Sequence, residues 1–164
     1  MNIELSLYNG QSEIASALIQ GFWKAHNDCD QSKAEAMEDL SAWTADGHRL
    51  YLIVLDGAPV GFVHLGSRGA GIDWLEDLFV LPQHQRKGVG SAAVALAEGI
   101  VKQYSESLYI EAAARNAAAI HLYRRLGYDC LNTITVRKDF APEKYELISR
   151  ETLLGQDFEV RKSK

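Results

Sequence analysis

The hexapeptide Q-R-K-G-V-G at residues 85–90 follows an apolar segment at residues 75–80. This order indicates a strand, a short polar loop and the start of a helix. The two glycines let a ligand approach the backbone, because no Cβ is in the way. A helix N-terminus attracts anions, and an arginine and a lysine add positive charge beside it. The segment therefore predicts a loop that binds a phosphate or pyrophosphate group between a strand and a helix.

A dinucleotide is one ligand that such a loop could hold. Gly88 begins a match to the pattern G-x-G-x-x-(G/A), and Glu111 follows at roughly the ~20-residue spacing of a ribose-binding carboxylate. In dinucleotide-binding folds, however, the glycines lie in a tight turn immediately after the strand. Here the polar residues 82–87 intervene. One strong β-α-β pattern surrounds the loop, whereas that fold repeats the pattern several times, so the dinucleotide interpretation is weak.

Residues 85–90 also match the pyrophosphate-binding signature (Q/R)-x-x-G-x-(G/A) of the GNAT superfamily of acyl-CoA N-acyltransferases. A second segment, N-A-A-A-I-H-L-Y-R-R-L-G-Y at residues 116–128, resembles the family's N-x-x-A-x-x-L-Y-x-x-x-G-(F/Y) helix. The two motifs stand in the family's order and spacing, and the resemblance extends over about residues 50–136. The chain therefore resembles a member of this superfamily.

This resemblance implies an acetyl-CoA-dependent N-acetyltransferase without a metal. The implied fold has α/β/α layers, in which helices flank a mixed, largely antiparallel sheet. Its fourth and fifth strands, at residues 72–80 and 108–112, splay apart near the acyl-CoA site. Tyr123 matches the family's tyrosine that gives a proton to the departing thiolate. The residues that match cofactor contacts are Leu78, Phe79, Val80, Gln85, Arg86, Lys87, Gly88, Val89, Gly90, Asn116, Ala119 and Tyr123.

Acetyl transfer to an alkylamine needs a group that accepts a proton, because the amine is largely protonated at neutral pH. Glu76 and Asp77, in the strand before the loop, are the candidates. Adjacent strand residues point to opposite faces, so only one of them should face the thioester unless a bulge changes the alternation. We expect Glu76 to act, directly or through water, with Asp77 as the alternative. Either carboxylate could also bind a cationic substrate.

The pattern along the chain predicts an α+β fold. Apolar and alternating segments indicate strands at residues 3–8, 50–55, 60–65, 72–80 and 108–112. Helical spacing indicates helices beginning near residue 12 and covering residues 32–45, 88–103 and 116–127. Beyond the second motif we expect a strand at residues 128–136, a helix at 142–154 and a short strand at 158–161.

Composition sets wider bounds. A chain of 164 residues fits one domain, residues 1–164. The two cysteines, Cys29 and Cys130, lack metal-ligand spacing, and no signal peptide is evident, so we expect a reducing, cytoplasmic setting. No apolar run approaches the ~20 residues that span a membrane. The formal charge of −5 argues against nucleic-acid binding and suits a cationic acceptor. The resemblance also favours a homodimer.

The acceptor is the least determined feature. Acidic residues within residues 26–39 and the strand L-E-D-L-F-V at residues 75–80 favour a polyamine or another polycation. Trp74 could add a cation–π contact. Aminoglycosides and the α-amine or lysine of a peptide remain alternatives. A protein of this fold could also bind acyl-CoA without turnover, as a sensor, although Tyr123 and the pair Glu76–Asp77 argue against a degenerate site.

Overall fold

Five strands form one sheet in the order of the sequence, in a computed structural model that describes residues 1–164. The first four strands are antiparallel, and the fifth runs parallel to the fourth. This arrangement confirms the predicted mixed, largely antiparallel sheet. The strands are β1 (Ile3–Leu7), β2 (His48–Leu55), β3 (Ala58–Gly66), β4 (Trp74–Val80) and β5 (Tyr109–Ile110).

The chain comprises two compact units, Met1–Glu111 and Ala112–Lys164. The whole five-stranded sheet belongs to the first unit. The expectation of a single domain stays a prediction.

Helices cover both faces of the sheet. The helices of the first unit are α1 (Ser12–Asn27), α2 (Lys33–Trp43) and α3 (Val89–Val101). Side chains of α1 and α2 form one core cluster with Leu50, Phe62 and Phe79 of the sheet. Val63 follows Phe62 and is also buried, so its side chain points to the opposite face. There α3 contacts β3 and β4, which completes the α/β/α layering.

The parallel pair β4–β5 is short. Its register joins Trp74 to Tyr109 and Leu75 to Ile110, whereas β3 pairs with β4 from Trp74 to Val80. Beyond Leu75, β4 therefore has main-chain groups on its β5 side that take part in no strand pairing. This is the splay expected between the fourth and fifth strands.

The second unit begins with α4 (Ala117–Arg125). The Asn116 side chain accepts a hydrogen bond from the Ala119 amide at 3.2 Å and so caps the helix. At the other end, the amide of Tyr128 donates to the Tyr123 carbonyl at 3.1 Å. This bond, with Gly127 at positive φ, is the arrangement that ends a helix in a Schellman motif. The predicted helix at residues 116–127 is confirmed.

The predictions for the end of the chain were wrong in two places. Residues 128–136 form no strand, and Leu131 and Val136 are each 66% exposed. Residues 142–154 form no α-helix. A 3₁₀ turn at Pro142–Lys144 leads into β6 (Tyr145–Leu153), which pairs with β7 (Gln156–Ser163). The predicted strand at residues 158–161 lies within β7.

Local and cross-strand contacts account for the hairpin that replaces the expected helix. Leu154 and Gly155 both have positive φ, which matches the two-residue turn that suits the twist of a hairpin. Opposite charges then face each other across the strands, Glu146 with Lys162 at 2.9 Å and Arg150 with Glu159 at 3.3 Å. A helix over residues 142–154 would forgo all of these pairs.

Gly61 gives a direct test of the β3–β4 contact. A Cβ at this position would lie 2.0 Å from the carbonyl oxygen of Phe79 in β4. We expect Gly61→Ala to lower the free energy of unfolding by about 2–4 kcal/mol, because backbone must move. Urea unfolding followed by circular dichroism measures this. Gly99→Ala is the control, since nothing lies within 4 Å of its Cβ position. A Gly61→Ala protein as stable as the control would contradict the register.

Candidate active site

The loop after β4 has the geometry that its sequence predicts. A 3₁₀ turn at Pro82–His84 follows the strand, and the Gln85 side-chain amide donates to the Val80 carbonyl at 2.8 Å. Gly88 is the N-cap of α3 at φ +84°. A side chain there would be strained, because L-residues rarely adopt this conformation. The glycine therefore allows the chain to turn sharply from the loop into the helix.

Positive charge collects where α3 begins. The first-turn amides of a helix have no intrahelical acceptor, and the helix dipole adds partial positive charge at this end. Arg86 and Lys87 are exposed beside these amides. The Lys87 ammonium also donates to the Gln83 carbonyl at 2.8 Å, which keeps the lysine close to the loop. These groups fit a diphosphate such as the pyrophosphate of coenzyme A.

A β-bulge in β4 sets the directions of the two acidic side chains. Leu75 pairs with Leu65 and Asp77 pairs with His64, so Glu76 is the extra residue between them. The simple alternation of a strand therefore does not apply at Glu76. The two neighbouring carboxylates enter separate hydrogen-bond networks.

Glu76 is bound to Arg68, from the loop between β3 and β4. The guanidinium donates to both carboxylate oxygens, at 3.0 and 2.7 Å. It also forms an ion pair with Glu111 at 2.8 Å and lies 3.8 Å above the Trp74 ring. This ion pair lowers the pKa of the Glu76 carboxyl below its ordinary value, against the opposing effect of partial burial. Glu76 thus remains a carboxylate that favours cations.

Asp77 is bound to a chain of two histidines. Its Oδ2 lies 2.8 Å from Nδ1 of His64, and Nε2 of His64 lies 2.9 Å from Nδ1 of His48. His64 is buried, and the Trp43 ring stacks on it with centroids 4.8 Å apart. The charge of Asp77 is therefore connected through an oriented imidazole to the half-buried His48.

His48 and His64 were not among the site residues predicted from the sequence. His64 interrupts the apolar strand F-V-H-L-G, and a buried polar side chain in such a strand needs a partner. That interruption was the available signal. The partners themselves come from three different strands and become neighbours only through the β2–β3–β4 register.

The other predicted site residues lie on α4, in the second unit. Asn116 caps that helix through the Ala119 amide. Tyr123 lies one to two turns further along and packs edge-to-face on Tyr128, with ring centroids 5.9 Å apart. Within the first unit, β4 and the following loop bring together Glu76, Asp77, Leu78, Phe79, Val80, Gln85, Arg86, Lys87, Gly88, Val89 and Gly90.

No three or more His, Cys, Asp or Glu side chains are grouped so that they could hold a metal ion. None of the helices has the length and apolar character needed to cross a membrane.

Solved structures share this fold. AAC(6')-Iy in complex with a bisubstrate analog, CoA-S-monomethyl-acetylneamine, superposes with a TM-score of 0.64 at 19% identity, over 85% of this chain and 99% of that one. A ribosomal-protein-alanine N-acetyltransferase from Brucella melitensis biovar Abortus 2308 gives a TM-score of 0.67 at 14% identity, over 84% of this chain and 100% of that one. At these identities the likeness shows the fold alone.

Sequence comparisons are more specific. The [ribosomal protein bS18]-alanine N-acetyltransferase of Escherichia coli (strain K12) is 38% identical over 69 residues, which are 42% of this chain and 45% of that protein. The chain thus matches less than half the length of this relative. The model of the acetyltransferase (GNAT) family matches residues 15–128, which include both sequence motifs. The family predicted from those motifs is confirmed: the chain belongs to the GNAT family of acetyltransferases.

Proposed function

We propose that this protein transfers the acetyl group of acetyl-CoA to a primary amine of a small cationic acceptor, of the polyamine or aminoglycoside kind. The observation that carries this proposal is the set of contacts around Arg68. Glu76, Glu111 and Trp74 already bind one cationic side chain there, through two carboxylates and an aromatic face. Two carboxylates facing one guanidinium leave this cluster with one negative charge in excess, which suits a cationic acceptor.

The residues around β4 and α3 fit acetyl-CoA. We assign its pyrophosphate to Gln85, Arg86, Lys87, Gly88, Val89 and Gly90, whose amides and cations gather at a helix N-terminus. The pantetheine arm is assigned to the unpaired edge of β4 at Leu78, Phe79 and Val80. Asn116, Ala119 and Tyr123 are assigned by their match to the family's second motif. Bound acetyl-CoA supplies a thioester, whose carbonyl carbon accepts the amine as the thiol departs.

Glu76 and Asp77 have different roles in this proposal. Glu76 attracts the ammonium group, because its ion pair with Arg68 keeps it ionised. Asp77 holds its charge at the end of the histidine chain, where it stabilises a proton taken from the amine. Tyr123 gives a proton to the departing thiolate, the role of the tyrosine it matches. The expectation that Glu76 itself takes the amine proton stays a prediction.

A protein or peptide acceptor is the second candidate. The E. coli relative acetylates, by its name, an alanine of ribosomal protein bS18, and it matches this chain over 69 residues. AAC(6')-Iy, by contrast, was solved with an acetylneamine conjugate and matches in fold alone. A non-catalytic acyl-CoA sensor is a third possibility. The homodimer and the cytoplasmic setting remain predictions.

One experiment separates these candidates. The protein is incubated with acetyl-CoA and, separately, with spermidine, neamine, free amino acids and short peptides that begin with alanine, and products are identified by mass spectrometry. Acetylated spermidine or neamine supports the proposal. Acetylation confined to the peptides would establish the second candidate instead. Binding of acetyl-CoA without any product would contradict both and favour a sensor.

The loop cations should set the affinity for acetyl-CoA. We expect the double change Arg86→Ala and Lys87→Ala to raise KM for acetyl-CoA about tenfold or more with little change in kcat, because each lost phosphate contact removes roughly 1–2 kcal/mol of binding. Steady-state kinetics at low and high salt measures this, since added salt should narrow the difference. Lys102→Ala, at the opposite end of α3, is the control. An unchanged KM in the double variant would remove these residues from the cofactor site.

Tyr123 should matter for turnover more than for binding. We expect Tyr123→Phe to lower kcat about 10²-fold and to leave the Kd for acetyl-CoA within about twofold, because only the hydroxyl is lost. Stopped-flow turnover and calorimetric binding measure the two quantities. Tyr145→Phe in β6 is the matched control. Equal losses in kcat and affinity would point to packing and not to proton donation.

A further inference from the structure

We propose that Nε2 of His48 takes the proton from the acceptor amine. His64 and Asp77 are the residues that orient the His48 ring and stabilise the positive charge it gains. This inference rests on the proposed N-acetyl transfer, which it deepens by naming the atom that receives the proton. The supporting observation is a series of three side chains, Asp77, His64 and His48, joined by successive contacts of 2.8 and 2.9 Å.

The hydrogen bonds determine which ring nitrogens carry protons. The Asp77 carboxylate can only accept, so Nδ1 of His64 donates to it. In a neutral His64 ring, Nε2 is then the acceptor, and the proton between the two rings belongs to Nδ1 of His48. His48 therefore keeps the lone pair of its Nε2 unprotonated. The network presents a single basic nitrogen at its outer end.

Packing fixes the two rings in this orientation. His64 is 3% exposed and lies in β3 between Val63 and Leu65, both fully buried. Trp43 of α2 stacks on it with an interplanar angle of 15°. The His48 and His64 rings lie side by side, with centroids 5.1 Å apart and planes 28° apart, as the hydrogen bond between their nitrogens requires. His48 itself is only half-buried at the start of β2, so the residue is accessible from solvent.

His48 lies beside the carboxylate that attracts the amine. A Cβ added at Gly66 would lie 3.1 Å from Oε1 of Glu76 and 3.3 Å from Nδ1 of His48. The absence of a side chain at Gly66 thus leaves room for the two groups to approach each other. An ammonium group bound by Glu76 would therefore lie close to the His48 ring.

The proton balance is simple. The acceptor ammonium loses one proton to Nε2 of His48, and the freed amine lone pair forms the new C–N bond. The C–S bond breaks with its electron pair remaining on sulfur. The thiolate receives one proton from the Tyr123 hydroxyl. The second N–H proton leaves the nitrogen as the amide forms, and it replaces the proton that Tyr123 has given up. His48 then releases its proton to water, so the sum is one amide, one thiol and one released proton.

The charged groups near the network favour this direction of proton flow. Asp77 stabilises an imidazolium through His64, and Glu76 faces His48 from β4. Arg68 faces Glu76 from the β3–β4 loop and also pairs with Glu111, so the three groups together keep one negative charge. From α2, the residue that packs against His64 is Trp43, which carries no charge. Imidazole is in general a stronger base than a carboxylate, and Arg68 further weakens Glu76 as a base.

The kinetic test is His48→Gln across pH, with the amine that the panel identifies. We expect kcat to fall about 10²-fold at neutral pH with KM for acetyl-CoA unchanged, and the loss to shrink at high pH, where the amine is deprotonated without help. His121→Gln, on the exposed surface of α4, is the control. A purely structural role would leave the same loss at every pH. That result, or full activity in His48→Gln, would overturn the proposal.

A second test needs no turnover and no ligand. Imidazole ¹⁵N shifts of the free protein should show Nδ1 of His48 protonated and Nε2 unprotonated at neutral pH, and Asp77→Asn should change this pattern in both rings. A His48 ring protonated at Nε2 and not at Nδ1 would overturn the proposal. If the wild-type protein acetylated no amine, the proposed function would fail, and the ¹⁵N pattern would still decide whether the network is built as described.

Discussion

The single extra residue in β4 determines the rest of the site. With regular pairing, Glu76 and Asp77 would point to opposite faces of the sheet. The bulge instead makes Glu76 the unpaired residue between Leu75 and Asp77. Glu76 can then reach Arg68, while Asp77 stays opposite His64 in β3. Two adjacent carboxylates therefore have different hydrogen-bond partners, and these partners give them different chemical properties.

The first unit separates groups of opposite charge along one strand, β4. The C-terminal end of β4 leads into the loop and the N-terminus of α3, where positive charge suits a diphosphate. Its middle carries the negative charge that suits an amine. The pairing with β5 stops after Leu75, so the main-chain groups of β4 between these two regions have no strand partner on that side. This separation of charge along β4 supports the proposal that a thioester ligand and a cationic amine bind to different parts of the strand.

Sequence alone predicted the features that depend on local patterns. The loop at residues 85–90, the helix capped by Asn116 and the order of the first five strands all follow from motifs or alternation within short segments. The bulge at Glu76 and the chain from Asp77 to His48 depend on register between strands far apart in the chain. No local pattern encodes that register. The β6–β7 hairpin was missed because cross-strand pairs outweighed a helical spacing of apolar residues.

We expect the bulge in β4 to give the two carboxylates separate functions. The most direct measurement is the pair of steady-state parameters for the amine in Glu76→Gln and Asp77→Asn. We expect Glu76→Gln mainly to raise KM for the amine, because the change removes the charge that attracts the ammonium group. We expect Asp77→Asn mainly to lower kcat, because the histidine chain loses its stabilising charge. A fall in kcat for Glu76→Gln together with an unaffected Asp77→Asn would contradict this division and identify Glu76 as the base.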